Sequence, residues 1–362
     1  MMRHWCIVFL STFTLCLVGC GGDNMTTLSS NSVVDQSTLA GYECPAYLSE
    51  TELPEITQFE LGEFDHWGNH FMANIANKPS YHFAKDLIMV QGEQATLQAK
   101  FDYGSVFHKD LEDEVVEGYL FHPELDQWRF LGSFRTNYDG KVYIDISGLN
   151  AGEYAIKLIV KGDGSSASGR ITVVSPQQKS VVFDLDSTLT ETDLAVLGDY
   201  LAGQAPATRA GAIDLVNLYS QLGYRIIYLT VRPYVLIPVT QTWFERVGLP
   251  RGHLYSPVYV GESLNVGAHA DFKAGYLDFL LSEVELDIVA AYGNSKSDIE
   301  AYERAGLDKE RTFIVGNQGG RANTVDLGSQ FTEHLTEAKN QVQPIGCSPG
   351  DDEGESLAIT QF

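Results

Sequence analysis

Asp184 and Asp186 stand two residues apart at the end of the apolar run Val181-Val182-Phe183, and Ser187 and Thr188 follow them. A short run of β-branched and aromatic residues reads as a buried strand, and open α/β sheets place their ligands beyond the C-terminal ends of such strands. Two carboxylates there could make and break a phosphoryl bond. The pair alone is weak, since acidic pairs at strand ends also cap helices or ligate calcium.

Later strand ends strengthen it. Ile226-Ile227-Tyr228-Leu229 runs into Thr230, with Arg232 two residues on, and Ala290-Ala291-Tyr292-Gly293 runs into Asn294 and Asp298. Lys273 opens the helical stretch between them. If these ends meet at one sheet edge, they bring together carboxylates, a hydroxyl, an ammonium and an amide. The bland readings stay open. Thr is a good helix N-cap, Lys273 could be a solvated helix residue with Lys296 as its rival, and Arg232 fits a phosphate contact or a structural ion pair equally well.

The elements that must position these groups follow from periodicity. Strands at Val181–Asp186, Tyr224–Thr230, Ile288–Tyr292 and Thr312–Val315 alternate with helical stretches at Arg209–Gly223, Val235–Val247, Phe272–Glu283 and Ser297–Gly306. That alternation predicts an α/β, doubly wound, parallel-sheet domain over 177–345. Between 80 and 176 short strands are predicted at Thr96–Phe101, Val115–Phe121, Trp128–Gly132, Val142–Ile146, Tyr154–Val160 and Arg170–Val174, with Asp139-Gly140 and Gly162-Asp163-Gly164 as turn signals. This pattern predicts an all-β, immunoglobulin-like sandwich.

The α/β constellation resembles the haloacid dehalogenase superfamily of phosphohydrolases. The resemblance implies that Asp184 is the nucleophile and Asp186 the general acid and base, with Thr230, Lys273 and Arg232 binding phosphate. It implies Mg²⁺ as cofactor, held by Asp184, the Asp186 carbonyl and Asp298, with Asn294 close by. Neither the stretch from Thr188 to Thr230 nor that from Thr230 to Lys273 has room for a cap domain, so the site is expected to be uncapped and open to large substrates.

Arg209-Ala210-Gly211-Ala212-Ile213-Asp214, Leu222-Gly223-Tyr224-Arg225 and Thr230-Val231-Arg232-Pro233 carry a narrower likeness, joined upstream by Ala99-Lys100-Phe101-Asp102-Tyr103-Gly104 and Val160-Lys161-Gly162-Asp163. They resemble the lipin-type phosphatidate phosphatases and, still more, the C-terminal region of retinal-degeneration-B-type phosphatidylinositol transfer proteins. The latter are thought to bind phosphatidic acid without hydrolysing it, because the nucleophilic aspartate is missing; this chain keeps Asp184. The expected function is a Mg²⁺-dependent phosphatase acting on phosphatidic acid or a related lipid phosphate. The alternatives are a non-catalytic phosphatidate-binding module and a general periplasmic phosphomonoesterase.

The 362 residues carry 24 Lys plus Arg against 48 Asp plus Glu, a formal charge of -24. Such a surface repels nucleic-acid phosphates, so nucleic acid is not an expected partner. It is equally unsuited to docking on anionic membranes by bulk electrostatics. The apolar run Trp5 to Val18 ending at Cys20 resembles a bacterial lipoprotein signal and is shorter than the ~20 residues of a membrane span. The resulting expectations are a signal peptide at 1–19, lipidation of Cys20, a tether over 20–79, an acidic tail over 346–362, and anchorage in the outer membrane facing the periplasm. Cys44 and Cys347 remain as a possible disulfide in such a compartment, or as two free thiols.

Overall fold

The computed structural model describes residues 53–76, 81–104, 109–125, 127–192, 206–257 and 265–345. Cys20, Cys44, Cys347 and the segments 1–52 and 346–362 lie outside the described residues. Among the described residues, no helix is long and apolar enough to cross a membrane.

A β-sandwich comes first. Its strands are β1 (Phe83–Ala84), β2 (Leu87–Val90), β3 (Ala95–Lys100), β4 (Asp102–Tyr103), β5 (Lys109–Asp110), β6 (Val115–Phe121), β7 (Arg129–Arg135), β8 (Lys141–Ile146), β9 (Gly152–Val160) and β10 (Ser166–Val174). One sheet has the order β1-β3-β8, the other β2-β10-β9-β6-β7, and β4-β5 form a small ribbon. Alternation drives the packing: Leu97, Ala99, Ile144, Ile156, Leu158 and Ile171 point inward to one buried cluster. β2 pairs with β10 in parallel, whereas the other sandwich pairs are antiparallel.

The expected tether over 20–79 needs correction at its C-terminal end. The polar composition of 21–50 hides the apolar spacing that follows. Leu53, Ile56 and Phe59 pack against a buried cluster that contains Phe121 and Trp128. The Trp128 indole donates to the Pro54 carbonyl at 2.7 Å, and a helix, α1, spans Trp67–Ala76.

The α/β domain follows directly. Its strands are β11 (Lys179–Phe183), β12 (Arg225–Leu229), β13 (His253–Tyr255), β14 (Asp287–Gly293), β15 (Thr312–Ile314) and β16 (Val325–Asp326). Its main helices are α2 (Ala212–Gln221), α3 (Ile237–Val247), α4 (His269–Ser282), α5 (Lys296–Arg304) and α6 (Thr332–Gln341). The sheet order is β13-β12-β11-β14-β15-β16, and all five pairings are parallel. The chain therefore runs outward from β11 to one edge and then, from β14, to the other. Side-chain period two splits the core between the faces. Val182 and Ala291 join a cluster with Leu277 and Leu280 of α4 and Tyr302 of α5. Phe183 and Tyr292 stack on each other, and both rings meet Tyr219 of α2.

Ile88 and Val174 of the sandwich belong to the same apolar cluster as Leu280 and Ile288 of the α/β domain. Buried polar contacts fix the junction. Asp86 accepts from the Arg170 and Leu254 amides, both at 3.0 Å, and from the Arg251 guanidinium at 3.1 and 3.2 Å. Tyr234 donates to the buried Asp102 carboxylate.

Candidate active site

β11, β12 and β14 are adjacent, so their C-terminal ends deliver Asp184, Thr230 and Asn294 to one edge of the sheet. Asp184 leaves β11 with its amide still bonded to the Tyr292 carbonyl of β14 at 3.0 Å. The chain then makes one loose turn, Leu185–Leu189, in which Ser187 takes the left-handed conformation (φ 58°). A side chain disfavours that conformation, so the surroundings must hold it. Here the Ser187 amide donates to Thr190 Oγ1 at 2.9 Å, and Arg209 Nε and Nη2 donate to the Ser187 carbonyl at 3.0 and 2.9 Å.

Lys273, in the first turns of α4, sits between two carboxylates. Its Nζ donates to Asp184 Oδ1 at 2.6 Å and to Asp298 Oδ1 at 2.5 Å. All three side chains are at most 5% exposed. Asp298 is fixed from its other side: α5 begins with a reciprocal capping box, in which Ser295 Oγ accepts from the Asp298 amide and Asp298 Oδ2 accepts from the Ser295 amide. The Asn294 amide also donates to Oδ2 at 3.0 Å. Gly293 makes this approach possible, because a Cβ there would lie 2.6 Å from the Asp298 side chain.

Burial acts on the three groups unequally. It pushes Asp184 up to about 7, with Lys273 pulling it down and the Asp298 and Asp186 charges adding to the rise. Burial would also raise Asp298, yet Lys273, Ser295 and the Asn294 amide hold it below its ordinary value. Burial opposes the charge on Lys273, but the two flanking carboxylates keep it protonated and raise its pKa. The second oxygen of Asp184 accepts from Thr188 Oγ1 at 2.8 Å, and Thr188 Oγ1 lies 3.2 Å from Asn294 Oδ1.

Asp186 faces a different partner. Arg232 grips it through Nε at 3.0 and 3.2 Å and through Nη2 at 2.9 Å, while Nη1 donates to Thr240 at 2.9 Å. Thr230 Oγ1 lies 3.3 Å from Asp186 Oδ2 and accepts from the Arg232 amide at 3.1 Å. The structure thus brings Asp184, Asp186, Thr230, Arg232, Lys273, Asn294 and Asp298 together. Arg232 stands as the buried ion-pair partner of Asp186, one of the two readings open from the sequence. Lys296, the rival cation, is exposed. Sequence reasoning missed Thr188, Arg209 and Gly293. Thr188 carried a usable signal, since the fourth residue past Asp184 returns to it across a turn.

Residues 181–316 match the family model described as PITM 1-3, LNS2 domain, and residues 80–173 match PITM 1-3, beta-sandwich domain. The α/β half is LNS2-like. Protein retinal degeneration B of Drosophila melanogaster is 31% identical over 267 residues, covering 72% of this chain and 20% of the fly protein. Human membrane-associated phosphatidylinositol transfer protein 1 is 30% identical over 274 residues, covering 74% of this chain and 21% of its own length. Human membrane-associated phosphatidylinositol transfer protein 3 is 29% identical over 279 residues, covering 75% and 27%. The chain therefore spans only a fifth to about a quarter of the length of these relatives. They also correct the expected setting. These relatives are animal proteins, two of them named as membrane-associated, which overturns the bacterial lipoprotein reading with its signal peptide, acyl anchor, periplasm and outer membrane.

Proposed function

We propose that the LNS2-like domain is a haloacid-dehalogenase-like, uncapped phosphatase that hydrolyses a phosphate monoester through an aspartyl-phosphate, with phosphatidic acid or a related lipid phosphate as substrate. One observation carries the reading: a buried carboxylate, Asp184, held at a strand end by an ammonium that a second buried carboxylate, Asp298, shares. In the first half-reaction an Asp184 oxygen attacks phosphorus. The P–O bond to the alcohol breaks, and the leaving alkoxide takes its proton from the Asp186 carboxyl, which must be protonated for this step rather than ion-paired with Arg232. In the second half-reaction Asp186 removes a proton from water, the water oxygen bonds phosphorus, and the Asp184 carboxylate and inorganic phosphate are released. Lys273 stabilises charge on the transferring oxygens, and Arg232 with Thr230 holds the Asp186 carboxyl in position.

The donors suit Mg²⁺. Among the described residues no cluster of three or more His, Cys, Asp and Glu side chains forms a metal site by itself. Mg²⁺ commonly takes only one or two carboxylates, together with waters and substrate oxygens. Two buried carboxylates share one ammonium here, and the rise of Asp184 to about 7 marks charge that a divalent cation would offset. Asp184, Asp298 and the Asp186 carbonyl would hold the ion, with Asn294 beside them. It would supply charge neutralisation for an anionic ester.

Phosphate release from phosphatidate in mixed micelles with Mg²⁺ tests this reading, with soluble esters run in parallel. Asp184→Asn should lower turnover by ~10³-fold or more. A variant that still turns over at the normal rate sinks the nucleophile assignment. A second reading, a phosphatidate-binding module without turnover, gains support from relatives named as phosphatidylinositol transfer proteins. It predicts phosphatidate binding by the unaltered chain with no phosphate released from any monoester.

A further inference from the structure

A cavity of about 480 Å³ opens between the sandwich and α4. That size falls in the ~300–1,000 Å³ range of small-molecule sites. One wall is an aromatic ladder. Tyr255 lies at the end of β13, and Phe272, Tyr276 and Phe279 follow at helical spacing i, i+4, i+7 on one face of α4. Their rings stack in sequence: Tyr255 on Phe272 at 5.1 Å, Tyr255 on Tyr276 at 3.3 Å and Tyr276 on Phe279 at 5.6 Å between centroids. Leu87 of the sandwich faces them. Lys85 places its ammonium 4.0 Å from the centre of the Tyr255 ring.

Gly275 also lines this cavity, midway along α4. Glycine is among the poorest helix formers, so an interior glycine needs a reason. Neither usual reason applies. Its φ is not left-handed, and a Cβ there would meet nothing within 4 Å. Its effect is to keep the groove floor open.

Two residues that line the groove, Tyr255 and Phe272, adjoin residues of the phosphoryl site. The Tyr255 carbonyl accepts from the Thr230 amide at 3.0 Å, and Phe272 is the residue before Lys273. β13 ends, and α4 begins, at the same sheet edge as Asp184, so the ladder runs away from that edge. A chain with a net charge of -24 cannot select an anionic amphiphile by bulk attraction. Selection must come from short-range apolar contact beside the phosphate ligands. The geometry points to the groove as the seat of an acyl chain whose phosphate head occupies the Asp184 site. This assignment rests on the phosphoryl-site reading above.

Titration of the full chain carrying Asp184→Asn, with Mg²⁺ present, tests it. The titrants are inorganic phosphate, glycerol 3-phosphate, monomeric dioctanoyl phosphatidate and dioctanoylglycerol. Dioctanoyl phosphatidate should bind at least tenfold more tightly than glycerol 3-phosphate. Adding Gly275→Leu, which fills the floor with a good helix former, should erase that advantage and leave the inorganic phosphate affinity and the thermal midpoint undiminished. Phe279→Ala, at a partly exposed position, should cut the advantage severalfold, and it decides the matter if the leucine variant does not fold. An advantage that survives these changes overturns the groove and leaves the phosphate site standing. If no phosphate compound binds but dioctanoylglycerol does, and Gly275→Leu removes that binding, the groove stands and the phosphoryl-site reading falls. If neither dioctanoyl compound binds, the groove falls.

Discussion

Asp86 and Asp184 are both carboxylates buried in the same protein, and their surroundings are built to opposite ends. Asp86 accepts four hydrogen bonds, two on each oxygen, from two amides and one guanidinium. Asp184 has one ammonium, which it shares with Asp298, and one hydroxyl. A buried charge is costly unless it is paired and its lone pairs are filled. The junction carboxylate meets that condition, whereas burial pushes the site carboxylate up to about 7. Full satisfaction marks the carboxylate that holds two domains together. Incomplete satisfaction marks the one left with affinity for something else.

The largest effect should come from breaking the satisfied member. Asp86→Ala leaves the Arg251 guanidinium, only 11% exposed, without its anion, and leaves two amides without an acceptor. Removing one partner of a buried pair costs ~3–5 kcal/mol. Chemical denaturation should register a loss of that size. A loss under ~1 kcal/mol would show that Asp86 does not anchor the junction.

A pH titration probes the same junction through His253 of β13, which lies between two residues that Asp86 binds, Arg251 and Leu254. Burial pushes His253 down to about 4 from an ordinary 6.5. The unfolded chain therefore binds the extra proton over the interval between these values, and stability must fall as pH drops from 6.5 to about 4. Full expression of the shift gives at most ~3 kcal/mol. His82, buried in the sandwich and also pushed down to about 4, contributes in the same window. A His253→Gln variant should flatten part of the slope; an unchanged slope would remove His253 from the account.

The junction and the site differed in how far the sequence exposed them. Strand ends are local signals. Val115–Phe121 is predicted and observed with the same bounds, and Asp184, Thr230, Lys273 and Asp298 meet because parallel topology collects strand ends at one edge. β2 and β13 are four and three residues long, too short for alternation to rise above background, yet β2 starts at the residue after Asp86 and Leu254 of β13 donates to the Asp86 carboxylate. α6 carries few apolar residues, so periodicity predicts no separate helix there. Arg209 and the Arg232–Asp186 pair depend on where distant loops cross, which no spacing encodes.

The smallest effect, and the sharpest for the comparison, concerns the stability of Asp184→Asn. An amide of the same shape can still accept from Lys273 and removes a charge that burial disfavours. Metal-free Asp184→Asn should therefore be more stable than the unaltered chain at neutral pH, by about 1 kcal/mol. Sites built for chemistry commonly give up stability in this way. The gain should shrink as pH falls below about 7, because the unaltered carboxyl then takes up a proton and also becomes neutral. Asp86→Asn gives the matched control, since it replaces a fully bonded carboxylate and should destabilise at neutral pH. Opposite signs for the two isosteric changes would confirm that one carboxylate is structural and the other is held in readiness. A destabilised Asp184→Asn would place both in the structural class and remove the physical ground for a reactive Asp184.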